Sequence, residues 1–214
     1  MGQKRFLYLI FVIVIVFSSS EFCQEKFSYG IKGGVGYWEI TSLRGVAENS
    51  FTLGFIAGIF LENQLPKNFS LIGELIYQNS ITEIKGSLFN ELNVYQRFIT
   101  RYIRVPILLK YQTNWLRDLY FFLGPSFAYL INAQYKNYTD YQSSSLETVT
   151  EKVGRYNVSV EAGIGEKIRL FDSSLLFELR GQLSLTKIHP KDFDQNSPVE
   201  WRNLGIIFLV GYML

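Results

Sequence analysis

The side chains that most often carry chemistry are scarce in this sequence. His189 is the only histidine and Cys23 the only cysteine among 214 residues. A histidine metal cluster is therefore excluded, and a nucleophilic triad would have to use this single imidazole. His189 sits beside Pro190 and Asp192 in IHPKDFDQNSP, which reads as an exposed loop. No enzymatic role and no cofactor is expected. One cysteine forms no internal disulfide, so packing and hydrogen bonds must hold the fold. The glycines of GIKGGVGY, from Gly30 to Tyr37, lack the following helix that a phosphate cradle requires. Within a strand they point to close packing or curvature instead. The chemistry that remains is ionic, and it resides in Lys32, Glu74, Arg104, Lys110, Arg155, Glu161, Glu178 and Arg180.

Those eight residues acquire meaning from the elements that position them. Apolar residues recur at every second position in segment after segment, the period of a strand with one apolar face. Over residues 153 to 170, Tyr156, Val158, Val160, Ala162 and Ile164 share one parity; Arg155, Asn157, Ser159 and Glu161 share the other. Residues 174 to 186 set Leu175, Phe177, Leu179, Leu183 and Leu185 against Glu178, Arg180, Gln182 and Ser184. Residues 51 to 62 repeat this, with Glu62 on the polar side. Five further strands are expected at 27–41, 68–79, 100–112, 118–132 and 201–214. Residues 118–132 are apolar on both parities, and the last strand carries Ile207 and Leu209 on its less apolar side.

Connections alternate in length. Short ones lie near 62–68, 113–118 and 171–174, a medium one at 42–50, and long ones near 80–99, 133–152 and 187–200. Short turns on one side and long loops on the other mark a barrel inserted through a membrane from the periplasm. Strands of this length cross a bilayer when tilted, since about 9 to 11 residues suffice. Trp38, Tyr77, Tyr129 and Trp201 are placed near the long-loop ends, with Tyr111, Trp115 and Tyr120 near the short turns, as two aromatic girdles. If the apolar parity faces lipid, Val160 meets hydrocarbon and Ser159 the lumen. The eight charges then point inward, three acids among five bases, as a hydrogen-bonded ion network that fills a narrow interior.

The first residues differ from the rest. Lys4 and Arg5 precede twelve consecutive apolar residues, Phe6 to Phe17, and Ser18 to Ser20 follow. A charged start, a short apolar run and small residues form a secretory signal peptide; twelve residues fall short of the ~20 of a spanning helix. Residues 1–23 are expected to be a leader, cleaved between 20 and 24, and residues 24–214 the barrel domain. The formal charge is +2; losing Lys4, Arg5 and Glu21 removes two positive charges and one negative, leaving +1. Nothing in that balance points to nucleic acid. The hydrophobic fraction is 48% and the aromatic fraction 16%, and no later apolar run is long enough for a helical span. The mature chain would enter a membrane as strands.

The segment YIRVPILLKY at 102–111, followed by LGPSFAYL at 123–130, resembles the outer-membrane β-barrel domain family that includes the PorT-type proteins, small barrels of the OmpA and OmpX kind. The opening glycine-rich strand and LIGELIYQ at 71–78, with Glu74 between apolar neighbours, extend the likeness over most of the mature chain. The resemblance implies an eight-stranded barrel in the outer membrane and, for the PorT branch, a part in protein secretion. Pro106 falls in mid-strand, where a missing N–H breaks a ladder bond; a bulge would accommodate it.

The expectation is an all-β, antiparallel up-and-down transmembrane barrel of about eight strands, in the outer membrane of a Gram-negative cell. It contacts outer-membrane lipid, has a structural or accessory role in secretion or surface interaction, and meets an unidentified protein partner through its external loops. Two rivals come from other classes: a narrow porin-like channel for small solutes, and a soluble lipocalin-like carrier with its apolar parity turned inward.

Overall fold

The computed structural model describes residues 27–42, 48–50, 52–88, 92–113, 118–139, 142–143, 147–148, 150, 154–186 and 201–214. The expected leader, Cys23 and His189 lie outside them. Eight long strands carry the architecture: β1 (Phe27–Ser42), β2 (Thr52–Gln64), β3 (Phe69–Leu88), β4 (Leu92–Gln112), β5 (Leu119–Thr139), β6 (Tyr156–Leu170), β7 (Ser173–Ser184) and β8 (Trp201–Met213). Short pieces at Glu48–Ser50, Gln142–Ser143 and Glu147–Thr148 pair with β3 and β5. Each long strand runs antiparallel to the next. The last returns to the first, from Gly30↔Met213 to Ser42↔Trp201. The sheet is thus closed, which leaves no unpaired edge; in hydrocarbon only a helix or a closed barrel achieves this.

Tight turns occupy one end. Lys67 and Asn68 adopt left-handed φ of 62° and 64° between β2 and β3, where Leu65 N donates to Phe69 O at 2.8 Å. Phe171 and Asp172 alone join β6 to β7.

At the other end the structure departs from the sequence pattern. Residues 80–99, read as a long loop, are mostly a continued ladder that runs to Leu88↔Leu92, and β5 likewise continues to Thr139. Above Tyr77 the sequence NSITEIKG mixes polar and apolar residues on both parities. Backbone pairing persists there after the amphipathic signal has stopped.

Pro106 is accommodated without a local bulge. It keeps register with Ser126 on β5, while towards β3 the pairing jumps from Gly73↔Ile107 to Ile76↔Arg104. The missing N–H falls in that two-residue gap of the β3 ladder, and the β5 ladder has a gap of its own just beyond, from Pro106↔Ser126 to Leu109↔Leu123. The β4–β5 register shift lies elsewhere, between Arg101 and Tyr102.

The apolar parity faces out. Ile31, Val35, Leu53, Phe55, Ile59, Leu123, Leu179, Ile206 and Phe208 are all exposed. This wall overturns the soluble-carrier reading, which requires the opposite orientation. Inside, among the described residues, two apolar clusters occupy the lumen. One holds Phe60, Ile72, Leu108, Tyr120, Phe122, Leu176 and Met213; the other holds Trp38, Ile56, Ile76, Ile207 and Leu209. Ile207 and Leu209, on the less apolar side of the last strand, therefore fill the interior. Inward glycines make room for the rings. A Cβ at Gly36 would lie 2.4 Å from the Trp38 ring, and one at Gly165 2.4 Å from that of Tyr120. The rings lie against bare backbone, and a larger residue at either position would overpack the lumen.

Candidate functional site: the lumenal ion layer

Along β3, Glu74 lies between Ile72 of one apolar cluster and Ile76 of the other. At this level the lumen holds its charges. Strand alternation sends Lys32, Glu74, Arg104, Glu161, Glu178 and Arg180 inward, and all six are buried. Lys32 Nζ donates to Glu74 Oε1 and Glu178 Oε1, each at 2.7 Å. Arg180 grips Glu74 with both terminal nitrogens, Nη1 to Oε2 at 2.7 Å and Nη2 to Oε1 at 2.8 Å. It also pairs with Glu178, through Nε at 2.9 Å and through Nη2, and with Glu161 at 3.3 Å. Arg104 pairs with Glu161 and donates to Gln78 and Gln182 at 2.5 Å, Ser126 at 3.0 Å and Ser159 at 3.2 Å.

Three bases meet three acids drawn from β1, β3, β4, β6 and β7, so five of eight strands are tied through one layer. Each ion costs several kcal/mol to desolvate, and a buried layer of this kind persists only when charge and hydrogen bonds balance. Ring faces add to the cation side: Arg180 lies over Phe122 at 5.0 Å and Lys32 over Phe60 at 4.6 Å.

Nearer the short turns Lys110 forms a second unit with Glu62, at 2.8 and 3.0 Å, and covers the Tyr120 ring at 4.2 Å. Glu62 was missing from the expected set, although it sits on the polar parity of its strand. Gln78 and Ser126 were missing too, and Gln182 and Ser159, though placed on the inward parity, were left out of the network because charge alone was taken as its signal. Tyr120, whose hydroxyl donates to Glu178 at 2.9 Å, was assigned to the outer wall.

Arg155 does not join the lumenal group. The strand begins one residue later, at Tyr156, so alternation does not hold Arg155 inward; it is exposed and donates to Tyr129 Oη at 3.4 Å. Two girdle assignments also change. Trp38 and Tyr120 are each 1% exposed and plug the lumen, and Trp38 Nε1 donates to Gln182 Oε1 at 3.2 Å. Tyr77, Tyr111 and Tyr129 do sit on the outer wall, in ring contact with Phe55, Phe69 and Tyr156. Trp115 and the Trp201 side chain lie outside the described residues.

A closed antiparallel barrel with an apolar outer wall and an ion-paired lumen is a transmembrane barrel, since only hydrocarbon makes such a wall favourable. The sequence matches the outer membrane protein beta-barrel domain family over residues 17–189, and the chain belongs to that family. It is an outer-membrane protein. The match is to the domain family as a whole and does not single out the PorT-type branch.

Among solved structures, the chain is similar to Ail, the attachment invasion locus protein of Yersinia pestis, in complex with the heparin analogue sucrose octasulfate. Identity is 13% and the TM-score 0.47, over 88% of this chain and 99% of that one. Neisserial surface protein A shows 12% identity and a TM-score of 0.44, covering 86% and 95%. OprG from Pseudomonas aeruginosa shows 9% and 0.40, covering 89% and 97%. No curated protein matches the sequence.

Proposed function

We propose that this protein is a sealed, non-catalytic outer-membrane barrel with a structural or accessory role, presenting the extended ends of β3, β4 and β5 to the cell exterior. The observation that carries this reading is the lumenal ion layer, stacked between two apolar clusters. An open solute path needs a continuous wet column, and here aromatic and aliphatic side chains sit along the strands on both sides of the charges. An eight-stranded interior is just wide enough for side chains to fill it. Partner contact belongs to the long-connection end, where the paired strands outrun the apolar pattern; for a part in secretion the support is the PorT-type resemblance of residues 102–111.

Planar-bilayer recordings of the refolded protein test the seal. No stable, large conductance is expected; such a conductance from a monomer would establish the channel instead.

The domain reading is a leader over residues 1–23 followed by a barrel from 24 to 214. N-terminal sequencing of membrane-extracted protein is expected to begin between residues 21 and 24. Retention of Met1 to Phe17 would turn the leader into an anchor.

A further inference from the structure

Gly73 lies on the outward parity of β3, in line with Leu75 and Tyr77. Nothing inside the barrel accounts for its missing side chain. A Cβ there would meet no atom within 4 Å, whereas one at Gly36 or Gly165 would strike a lumenal ring. Glycine in a strand interior weakens the strand, and it often marks a place where a ligand comes close to the backbone. Around Gly73 the wall is hollow. A cavity of about 650 Å³ opens there, lined among others by Tyr29, Ile31, Leu61, Leu75, Ile107 and Tyr212; small-molecule sites span roughly 300 to 1,000 Å³. Glu74 lines it too. Its carboxylate is held in the lumenal ion layer by Lys32 and Arg180, so what it turns towards this outer groove is backbone.

That backbone carries an acceptor whose ladder partner is missing. Carbonyls alternate sides along a strand. A Cβ built on Gly58 would collide with the Leu75 carbonyl oxygen, which places that oxygen against β2 and turns the Glu74 carbonyl towards β4. Opposite Glu74 on β4, inside the ladder gap between Gly73↔Ile107 and Ile76↔Arg104, stands Pro106, which has no N–H to give. The hydrogen bonds Glu74 receives from described side chains all end on its carboxylate. In hydrocarbon a backbone acceptor without a donor is costly, and lipid chains carry none. Pro125 acts likewise on the other side of β4. The Ile107 oxygen lies against Gly124 of β5, so it faces Pro125 across the second gap.

We propose that the groove over Gly73 binds an amphiphile with an apolar chain and a hydroxyl group, a long-chain alcohol, whose O–H donates to the Glu74 carbonyl oxygen. The chain fills the apolar hollow, and the hydroxyl replaces the N–H that Pro106 lacks. The site is on the outside of the barrel and does not depend on whether the lumen conducts.

The probe is dodecanol with a photoreactive diazirine in its chain, crosslinked to the refolded protein in lipid vesicles and mapped by mass spectrometry. Saturable labelling is expected around Gly73 and Ile107. Unlabelled dodecanol should compete roughly tenfold better than its methyl ether, which differs by one donor. Gly73→Phe should abolish the saturable labelling while the barrel stays folded, because phenylalanine suits a strand and its Cβ has room. Pro106→Ala supplies the missing N–H, so dodecanol should lose its advantage over the ether. Pro125→Ala, which serves Ile107 instead, should retain it.

Labelling that does not saturate, or that survives in Gly73→Phe, would mean bulk hydrocarbon only and would overturn the site. Equal competition by the alcohol and the ether in the wild type, an advantage that persists in Pro106→Ala, or one lost equally in Pro125→Ala would overturn the hydroxyl as the recognised group. Heat-dependent gel mobility confirms that each variant is folded; should Pro106→Ala fail to fold, the wild-type comparison of alcohol and ether decides alone.

Discussion

Val160→Arg is expected to lower the stability of the refolded protein by roughly 2 to 4 kcal/mol, and Tyr156→Arg by about 0 to 1 kcal/mol. Both residues lie on the outward parity of β6, four positions apart. Val160 is midway along the apolar stretch that runs from Tyr156 to Ile164, before Glu166 interrupts it. Tyr156 is 70% exposed, at the headgroup end beside Tyr129. In hydrocarbon the cost of a cation depends on depth, because near the interface the side chain snorkels to water, whereas at the midplane it cannot. Ser159 would be a poor comparison. It is 0% exposed and accepts a hydrogen bond from Arg104 at 3.2 Å, so an arginine there would overfill the lumen and add a cation to a balanced layer. Urea titration in lipid vesicles reads both variants. Equal losses at the two sites would mean that the β6 wall does not face hydrocarbon.

The parts of this molecule that could be read from the sequence are those where the two faces of a strand differ chemically. β2, β6 and β7 alternate cleanly, and their inward residues follow from parity. β5 does not, because its lumenal side is itself apolar: Tyr120, Phe122, Ala128 and Leu130 are all buried, so alternation alone could not separate its faces. Trp38 was placed by its distance from the strand end, although its parity with Lys32 would have put it inside. Arg155 shows the reverse error, parity extended one residue past the strand. The Lys110–Glu62 pair was not legible at all, since it joins β4 to β2 across the lumen and past β3. Such a contact depends on barrel curvature, which no single strand encodes.

Removing Arg180 should be among the most damaging single changes in the lumen, at about 3 to 5 kcal/mol for Arg180→Met. The substitution keeps most of the volume in a flexible apolar chain, so the loss is chiefly electrostatic. Glu74, Glu178 and Glu161 would then face Lys32 and Arg104 alone, three buried acids against two bases. The pairing geometry also says how to reverse the damage. In Arg180→Met/Glu178→Met, the remaining ions are those already matched, Lys32 with Glu74 at 2.7 Å and Arg104 with Glu161. The double variant should therefore be more stable than Arg180→Met, despite having lost a further native side chain. Recovery will be incomplete, because the Tyr120 hydroxyl loses Glu178 as its acceptor and an unpartnered buried donor costs about 1 to 3 kcal/mol. Urea midpoints of refolded wild type, single and double variants decide it. If the double variant is the least stable of the three, each ion contributes independently, and charge balance is not what holds the layer together.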